Sequence, residues 1–186
     1  MEGTKSLPIM IAEICQEFSN QIHWEILPGH LILLIEPGII HFSYPDQFLF
    51  PPEASDLNYD CEAMFHFKDS LYLFSKNRGL STYCKMYRLP DKPGFYTASL
   101  LDSFDTHFWI TAADISPSGK SVILMSNGGL WLFTNYSGTS FFRGNSRQLT
   151  FENTQKEAVV FVSETEVYMT DEINFSVGGN LYDIDL

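Results

Sequence analysis

The chain has 186 residues, enough for one domain with a substantial core. Its net charge of −12 repels phosphate backbones, so nucleic acid is not an expected partner. Hydrophobic residues make up 45% of the chain and aromatic residues 15%, and this excess of Tyr and Phe favours strands over helices.

At the N-terminus, Met1–Lys5 carries one acid and one base, and the apolar patch Leu7–Ile14 is interrupted by Glu13. That is not the pattern of a signal peptide. Ile11, Ile14, Cys15 and Phe18 fall at i, i+3, i+4 and i+7, which predicts a short amphipathic helix over Ile9–Phe18. Pro28-Gly29 marks a turn, His30–Ile35 reads as a buried strand, Pro37-Gly38 as a second turn and Ile39–Ser43 as a second strand. The apolar run Leu31–Ile35 is far too short to cross a bilayer, so no membrane span is expected. Pro45, Pro51, Pro52 and several acids make residues 44–58 a loop. Residues 1–39 are thus set apart as an N-terminal segment of open structure, and the regular part of the chain is 40–186.

From Cys61 onward the pattern repeats. The first window, about 60–90, has strands Glu62–Phe67, Ser70–Ser75 and Tyr83–Leu89, with a turn at Lys68-Asp69. The second, about 110–135, has Ala112–Ser116, Ser121–Ser126 and Leu130–Thr134, with a turn at Pro117–Lys120. The third, about 157–186, has Ala158–Val162, Glu166–Thr170 and Asn180–Ile184, with a turn at Ser163-Glu164. Gly128-Gly129-Leu130-Trp131 and Gly178-Gly179-Asn180-Leu181 open the closing strand of two windows. Ala63, Ala113 and Ala158 align as the first apolar residue of each. A unit of short strands recurring about every 45–50 residues is the mark of a β-propeller blade. The fold expected is all-β, a partial β-propeller of three to four four-stranded antiparallel blades. Strands covered on both faces by neighbouring blades explain the nearly continuous apolar runs.

Several linked segments resemble a family of uncharacterised, mostly exported bacterial β-propeller proteins. They are Phe42–Gln47, Tyr59–Ala63, Ser70–Asn77, Leu89-Pro90 with Pro93-Gly94, Ile110–Asp114 and Gln155–Ala158. The match covers residues 40–186, and the family is distantly similar to gluconolactonase/regucalcin and phytase-like propellers. The resemblance implies further blades upstream and an exported or periplasmic location. Residues 1–39 do not match that upstream region. The chain is therefore expected to be a truncated form of a larger propeller, or to complete its ring by self-association.

Three carboxylates stand out. Glu62 and Glu157 each precede an aligned alanine, and Asp114 follows one, so strand alternation puts the three on one face of successive inner strands. Oxygen ligands of this kind suit Ca²⁺ or Mg²⁺, and a bound divalent ion could in turn organise a lactone or a phosphate ester for hydrolysis. Equally, such acids can hydrogen-bond backbone groups of neighbouring blades and hold them in register. The resemblance adds that Gln155-x-Glu157-Ala158 looks like an acidic inner-strand motif of hydrolytic propellers. No nucleotide or organic cofactor is expected.

Other residues read as structural. His23, His30, His41, His66 and His107 include no i, i+4 zinc pair, and no Gly-x-Ser-x-Gly elbow occurs. The glycine pairs do not open helices, so they read as turns rather than phosphate cradles. Cys15, Cys61 and Cys84 read as free core thiols, with a Cys61–Cys84 pair as the other possibility. Trp24, Trp109 and Trp131 read as packing residues, Trp109 beside His107 having sugar stacking as its alternative. Asp171, Glu172, Asp183 and Asp185 are read as a solvated strand edge or a surface cation site. Function is expected to be that of a binding or scaffold module for a protein or glycan, with a divalent-metal-dependent hydrolase as the alternative.

Overall fold

The computed structural model describes residues 38–186 and, ahead of them, three strands. Those three are β1 (Met10–Ala12), β2 (Ile22–Leu27) and β3 (His30–Ile35). Then follow β4 (Ile40–Ser43), β5 (Asp60–Phe67), β6 (Ser70–Lys76), β7 (Tyr83–Pro90), β8 (Gly94–Thr97) and β9 (Ser99–Asp105). The remainder are β10 (Ile110–Ile115), β11 (Ser121–Ser126), β12 (Gly129–Thr134), β13 (Asn145–Thr150), β14 (Lys156–Phe161), β15 (Glu166–Asp171) and β16 (Leu181–Asp185). Two short 3-10 turns, Ala54–Asp56 and Phe141–Arg143, are the only helical pieces among the described residues. The protein is all-β, as its composition predicts.

Two four-stranded antiparallel sheets, β5-β6-β7-β9 and β10-β11-β12-β13, are followed by a three-stranded one, β14-β15-β16. Ahead of them stands the sheet β1-β4-β8, in which β4 and β8 run parallel, and β2-β3 form a hairpin. Among the described residues, no sheet closes on itself. The Ile9–Phe18 helix is not seen: Met10–Ala12 is extended and pairs with Ile40–Phe42, and the rest of that span lies outside the described residues. A short apolar run satisfies either periodicity, and here pairing with a neighbouring strand decides. The side chains of Cys15, His23, Trp24 and His30 also lie outside the described residues.

The strands form because apolar, β-branched and aromatic residues can be covered on both sides. Ile40, Phe42, Tyr44, Tyr59, Leu71, Leu73 and Tyr87 pack between the β4 sheet and the β5–β9 sheet. Phe65, Tyr72, Phe74, Phe133, Phe141 and Phe142 fill the space between the β5–β9 and β10–β13 sheets. Ile123, Met125, Leu132, Val159, Phe161, Val167 and Met169 fill the next. In the middle core, Phe141 meets Tyr72 edge-on at 5.1 Å and Phe104 meets Phe133 edge-on at 4.9 Å. Pairs of this geometry add about 0.5–1.5 kcal/mol each beyond their burial. Polar ties cross the first gap: the Asp46 carboxylate accepts from Lys85 Nζ at 2.8 Å and from the Tyr87 hydroxyl at 3.0 Å.

The three repeats share one irregularity. Each first strand carries a bulge, at Cys61/Ala63, Ile110/Ala112 and Lys156/Ala158. The bulged residues are therefore Glu62, Thr111 and Glu157, and the structural counterpart of Ala63 and Ala158 is Ala112 rather than Ala113. An extra residue opposite one partner shifts every later side chain to the other face. Hence Glu62 and Glu157 are equivalent, whereas Asp114 is not their counterpart. The sequence also gives no sign of β9 or β13, the fourth strands. Both are polar and mostly exposed edge strands.

Candidate functional site

The three carboxylates have different surroundings. Glu62 accepts hydrogen bonds from Lys76 Nζ and from Arg78 Nη2, the latter at 2.6 Å, and Arg78 also reaches Asp60 at 2.8 Å. Its carboxyl is lowered: burial opposes the charge, and the bonds from Lys76 and Arg78 outweigh it. Asp114 accepts from the Phe161 backbone N–H at 2.7 Å, tying β10 to β14 across two sheets. Burial raises its carboxyl, and that backbone bond only partly offsets the rise. Glu157 stands half-buried on its bulge. Among the described residues, no three His, Cys, Asp or Glu side chains are grouped as a metal ion would require.

A second polar cluster joins β14 to β15. Lys156 is almost fully buried, and its Nζ donates to the Glu152 carbonyl at 3.0 Å and to Thr154 Oγ1 at 2.5 Å. The Phe151 and Tyr182 rings flank the ammonium at 4.7 and 4.9 Å. The Thr154 hydroxyl in turn donates a hydrogen bond to Asp171 at 2.6 Å, and Asp171 also accepts from the Asn180 N–H and the Tyr182 hydroxyl, both at 2.7 Å. These donors, led by Thr154, hold the Asp171 carboxyl well below the usual carboxylate range. Asp171 is thus neither a solvated edge nor a surface ion site: its oxygens are committed to the loop that leads into β16. Gly178 and Gly179 shape that loop with φ of 102° and 78°, values that suit glycine.

The two described thiols are inert. Cys61 and Cys84 are free and belong to different cores, one on each face of the β5–β9 sheet. Burial pushes the Cys61 thiol up to about 11 and the Cys84 thiol higher. Neither carries thiolate near neutral pH.

The antiparallel meander brings three connections to one end of the sheets: residues 106–109 between β9 and β10, the turn Asn127-Gly128 between β11 and β12, and residues 151–155 between β13 and β14. They border a cleft of about 440 Å³ lined by His107, Phe108, Trp109, Asn127, Phe151 and Asn153, with Ser126 and Gly128 completing the lining. Trp109 is 55% exposed and Phe108 40%. Trp109 is therefore not a core packing residue, which corrects the packing reading. Trp131, by contrast, does pack: its ring meets Phe104 edge-on and its Nε1 donates to the Thr106 carbonyl at 3.1 Å.

The walls are held from behind. Thr106 is fully buried, its hydroxyl bonding the Phe108 carbonyl at 2.8 Å and the Thr82 carbonyl at 3.2 Å. His107 takes a left-handed φ of 57°, its N–H bonding Asp105 Oδ1 at 3.3 Å and its Nδ1 lying 3.1 Å from the same oxygen. Such a backbone is uncommon for a residue other than glycine and persists where its surroundings fix it. On the far side, Phe151 N–H bonds the Gly128 carbonyl at 3.1 Å and Thr154 N–H the Asn127 carbonyl at 3.2 Å. The Arg78 guanidinium, anchored on Glu62 and Asp60, lies over the Trp109 ring at 6.0 Å. The carboxylate found in the sequence therefore reaches the cleft only indirectly, by holding the arginine above its main aromatic.

Sequence reasoning named Trp109 and His107 but missed Phe108, Asn127 and Asn153. Asn127-Gly128, a strong hairpin dipeptide, was the available signal for the turn, which lies one residue ahead of the Gly128-Gly129 pair. The fold and cleft define an all-β protein of repeated antiparallel sheets with a neutral, aromatic-lined recess at one end. No protein-family model matches the chain, and no curated protein matches it either.

Proposed function

We propose that the chain is a binding module of the β-propeller type, which holds a ligand at the end of its sheets and does no chemistry on it. The observation that carries this reading is the recess at Trp109: a concave site of small-molecule size with exposed aromatic side chains and a few polar groups, supported by a rigid frame. The propeller reading is supported by β10 packing between β5 and β14, so that the first strands of successive sheets lie side by side with a core between each pair.

The test is a fragment screen on the whole chain, with neutral, anionic and cationic members, followed by amide and indole shifts. Hits are expected to cluster on residues 106–109, 127–128 and 151–155. A screen in which nothing perturbs these residues overturns the reading.

The alternative of a divalent-metal-dependent hydrolase rests on Glu62, Asp114 and Glu157. Glu62 is already neutralised by Lys76 and Arg78, and Asp114 is engaged by a backbone donor. Millimolar Ca²⁺ is therefore expected to leave the melting temperature unchanged. A rise that Glu157→Gln abolishes would favour the hydrolase instead, since only a ligand of the native state shifts the transition.

A further inference from the structure

We infer that the ligand of this cleft is a neutral carbohydrate, stacked on Trp109 and held by the amides of Asn127 and Asn153. The inference rests on the binding-module reading and names the ligand class of that same site.

Charge supplies the first argument. The protein carries 23 acidic and 11 basic residues, yet no Asp, Glu, Lys or Arg lines the cleft, and Arg78, whose guanidinium lies over Trp109, is already paired with Glu62 and Asp60. A recess built for a phosphate, a carboxylate or an ammonium group would present an opposite charge or aligned backbone N–H groups. This one presents side-chain amides, which both donate and accept, and an imidazole whose Nδ1 is engaged by Asp105, leaving Nε2 for a ligand. Hydroxyl groups also do both, so a polyhydroxylated, uncharged ligand matches the lining group for group.

Shape supplies the second argument. Sugar rings carry a face of axial C–H bonds that packs on a flat aromatic surface, and Trp offers the largest such surface. Trp109 is 55% exposed beside a cleft it lines, while the guanidinium of Arg78 lies over its ring at 6.0 Å. A cation over an indole draws on the electron density of the ring. Arg78 is itself held by Glu62 and Asp60, so the cation over the ring is anchored before any ligand arrives. Phe108 and Phe151 extend the aromatic lining. The volume of about 440 Å³ lies within the small-molecule range and admits one or two sugar rings.

Rigidity supplies the third. Thr106, tied to Thr82 and to Phe108, and the left-handed His107 hold the Trp109 wall in one conformation. Weak stacking and hydroxyl contacts yield useful affinity only when little entropy is lost on binding. The exposed Phe175, at the tip of the 172–180 loop, lies outside this lining and has no part in the site.

The experiment is calorimetric titration of the full chain with neutral hexasaccharides: cello-, laminari-, xylo-, manno- and chitohexaose, with hexagalacturonate as the anionic comparison. At least one neutral sugar is expected to bind and to change the tryptophan fluorescence. Trp109→Ala is expected to weaken that binding at least tenfold, Asn153→Ala several-fold, and Leu80→Ala, on a loop outside the lining, not at all. Saturation-transfer NMR on the unaltered chain is expected to show the sugar ring protons in contact with aromatic protons, a readout that needs no variant to fold. Binding of none of the neutral sugars overturns the inference, as does binding of hexagalacturonate alone, or neutral-sugar binding indifferent to both Trp109→Ala and Asn153→Ala. If fragments cluster in the cleft while no neutral sugar binds, the carbohydrate assignment falls and the binding-module reading stands.

Discussion

Asp114 and Asp171 are two carboxylates near the first strands of neighbouring repeats, and the chain treats their charges in opposite ways. Burial raises Asp114, so the native state holds its proton more readily than the unfolded chain does, and raising the pH through the carboxylate range removes stability. Asn in its place keeps an oxygen to accept from Phe161 N–H without the charge. Asp114→Asn is therefore expected to melt higher than the parent at pH 7, the gap closing towards pH 3. Asp114→Ala, which orphans the N–H, is expected to lose about 1–2 kcal/mol by urea unfolding. Asp171 runs the other way. Its donors depress the carboxyl, so its contribution is complete above the ordinary value of 3.8 and fades as the pH falls through and below it. Asp171→Asn is expected to be the less stable protein at pH 7, and to lose less stability than the parent between pH 5 and pH 2.5. Chemical unfolding at the two pH values reads both halves of that statement.

At the scale of elements, turns and bulges decide how neighbouring sheets meet. The turn between β10 and β11 closes with Gly119 N–H on the Ser116 carbonyl at 2.7 Å, and Gly119 has a φ of 70°. A Cβ there would lie 2.5 Å from the Phe67 ring of the adjoining sheet. Gly119→Ala thus combines left-handed strain with a clash at an interface, and is expected to cost about 1–3 kcal/mol in thermal or urea unfolding. Much of this level could be read from the sequence. The strand Ser121–Ser126 has the bounds its pattern predicts, and the other strands of the three windows lie within two residues of theirs. The reason is physical: Val122–Met125 and Leu71–Phe74 are buried on both faces, and apolar runs this short, bounded by turn residues, suit strands covered on both sides. The edge strands β9 and β13 escaped because each turns few apolar side chains to a core, Phe104 in one and Leu149 in the other, too few to mark a face. The bulges escaped because spacing alone cannot locate an extra residue, and that one residue displaced Asp114 from the face assigned to it. Of the cleft, Trp109 and His107 were visible as an unusual pair. Asn127 and Asn153 were not, since they come from separate connections that only the meander brings together.

Over the described residues of the molecule, each core is shared by two neighbouring sheets, so the β5–β9 and β10–β13 sheets each face two cores while the β14–β16 sheet faces one. The outward side of that last sheet shows Val160, Val162 and Leu181 to solvent. Arrays in which each unit touches only its neighbours behave as chains of locally coupled parts, and they loosen from an end before they melt in the middle. Amide protons should therefore exchange with solvent in a graded order along the array. The slowest are expected in β11, where Val122, Ile123, Leu124 and Met125 are all fully buried, and the fastest among the sheet amides here in β16. A native-state exchange experiment that found one uniform rate across both strands would show the molecule opening as a single unit instead. The cleft lies between those extremes. Its Trp109 wall hangs from the doubly supported sheets, while its Phe151–Asn153 wall leads directly into β14. One wall should thus stay closed while the other breathes, which would let a ligand enter from the side of the last sheet, without any lid.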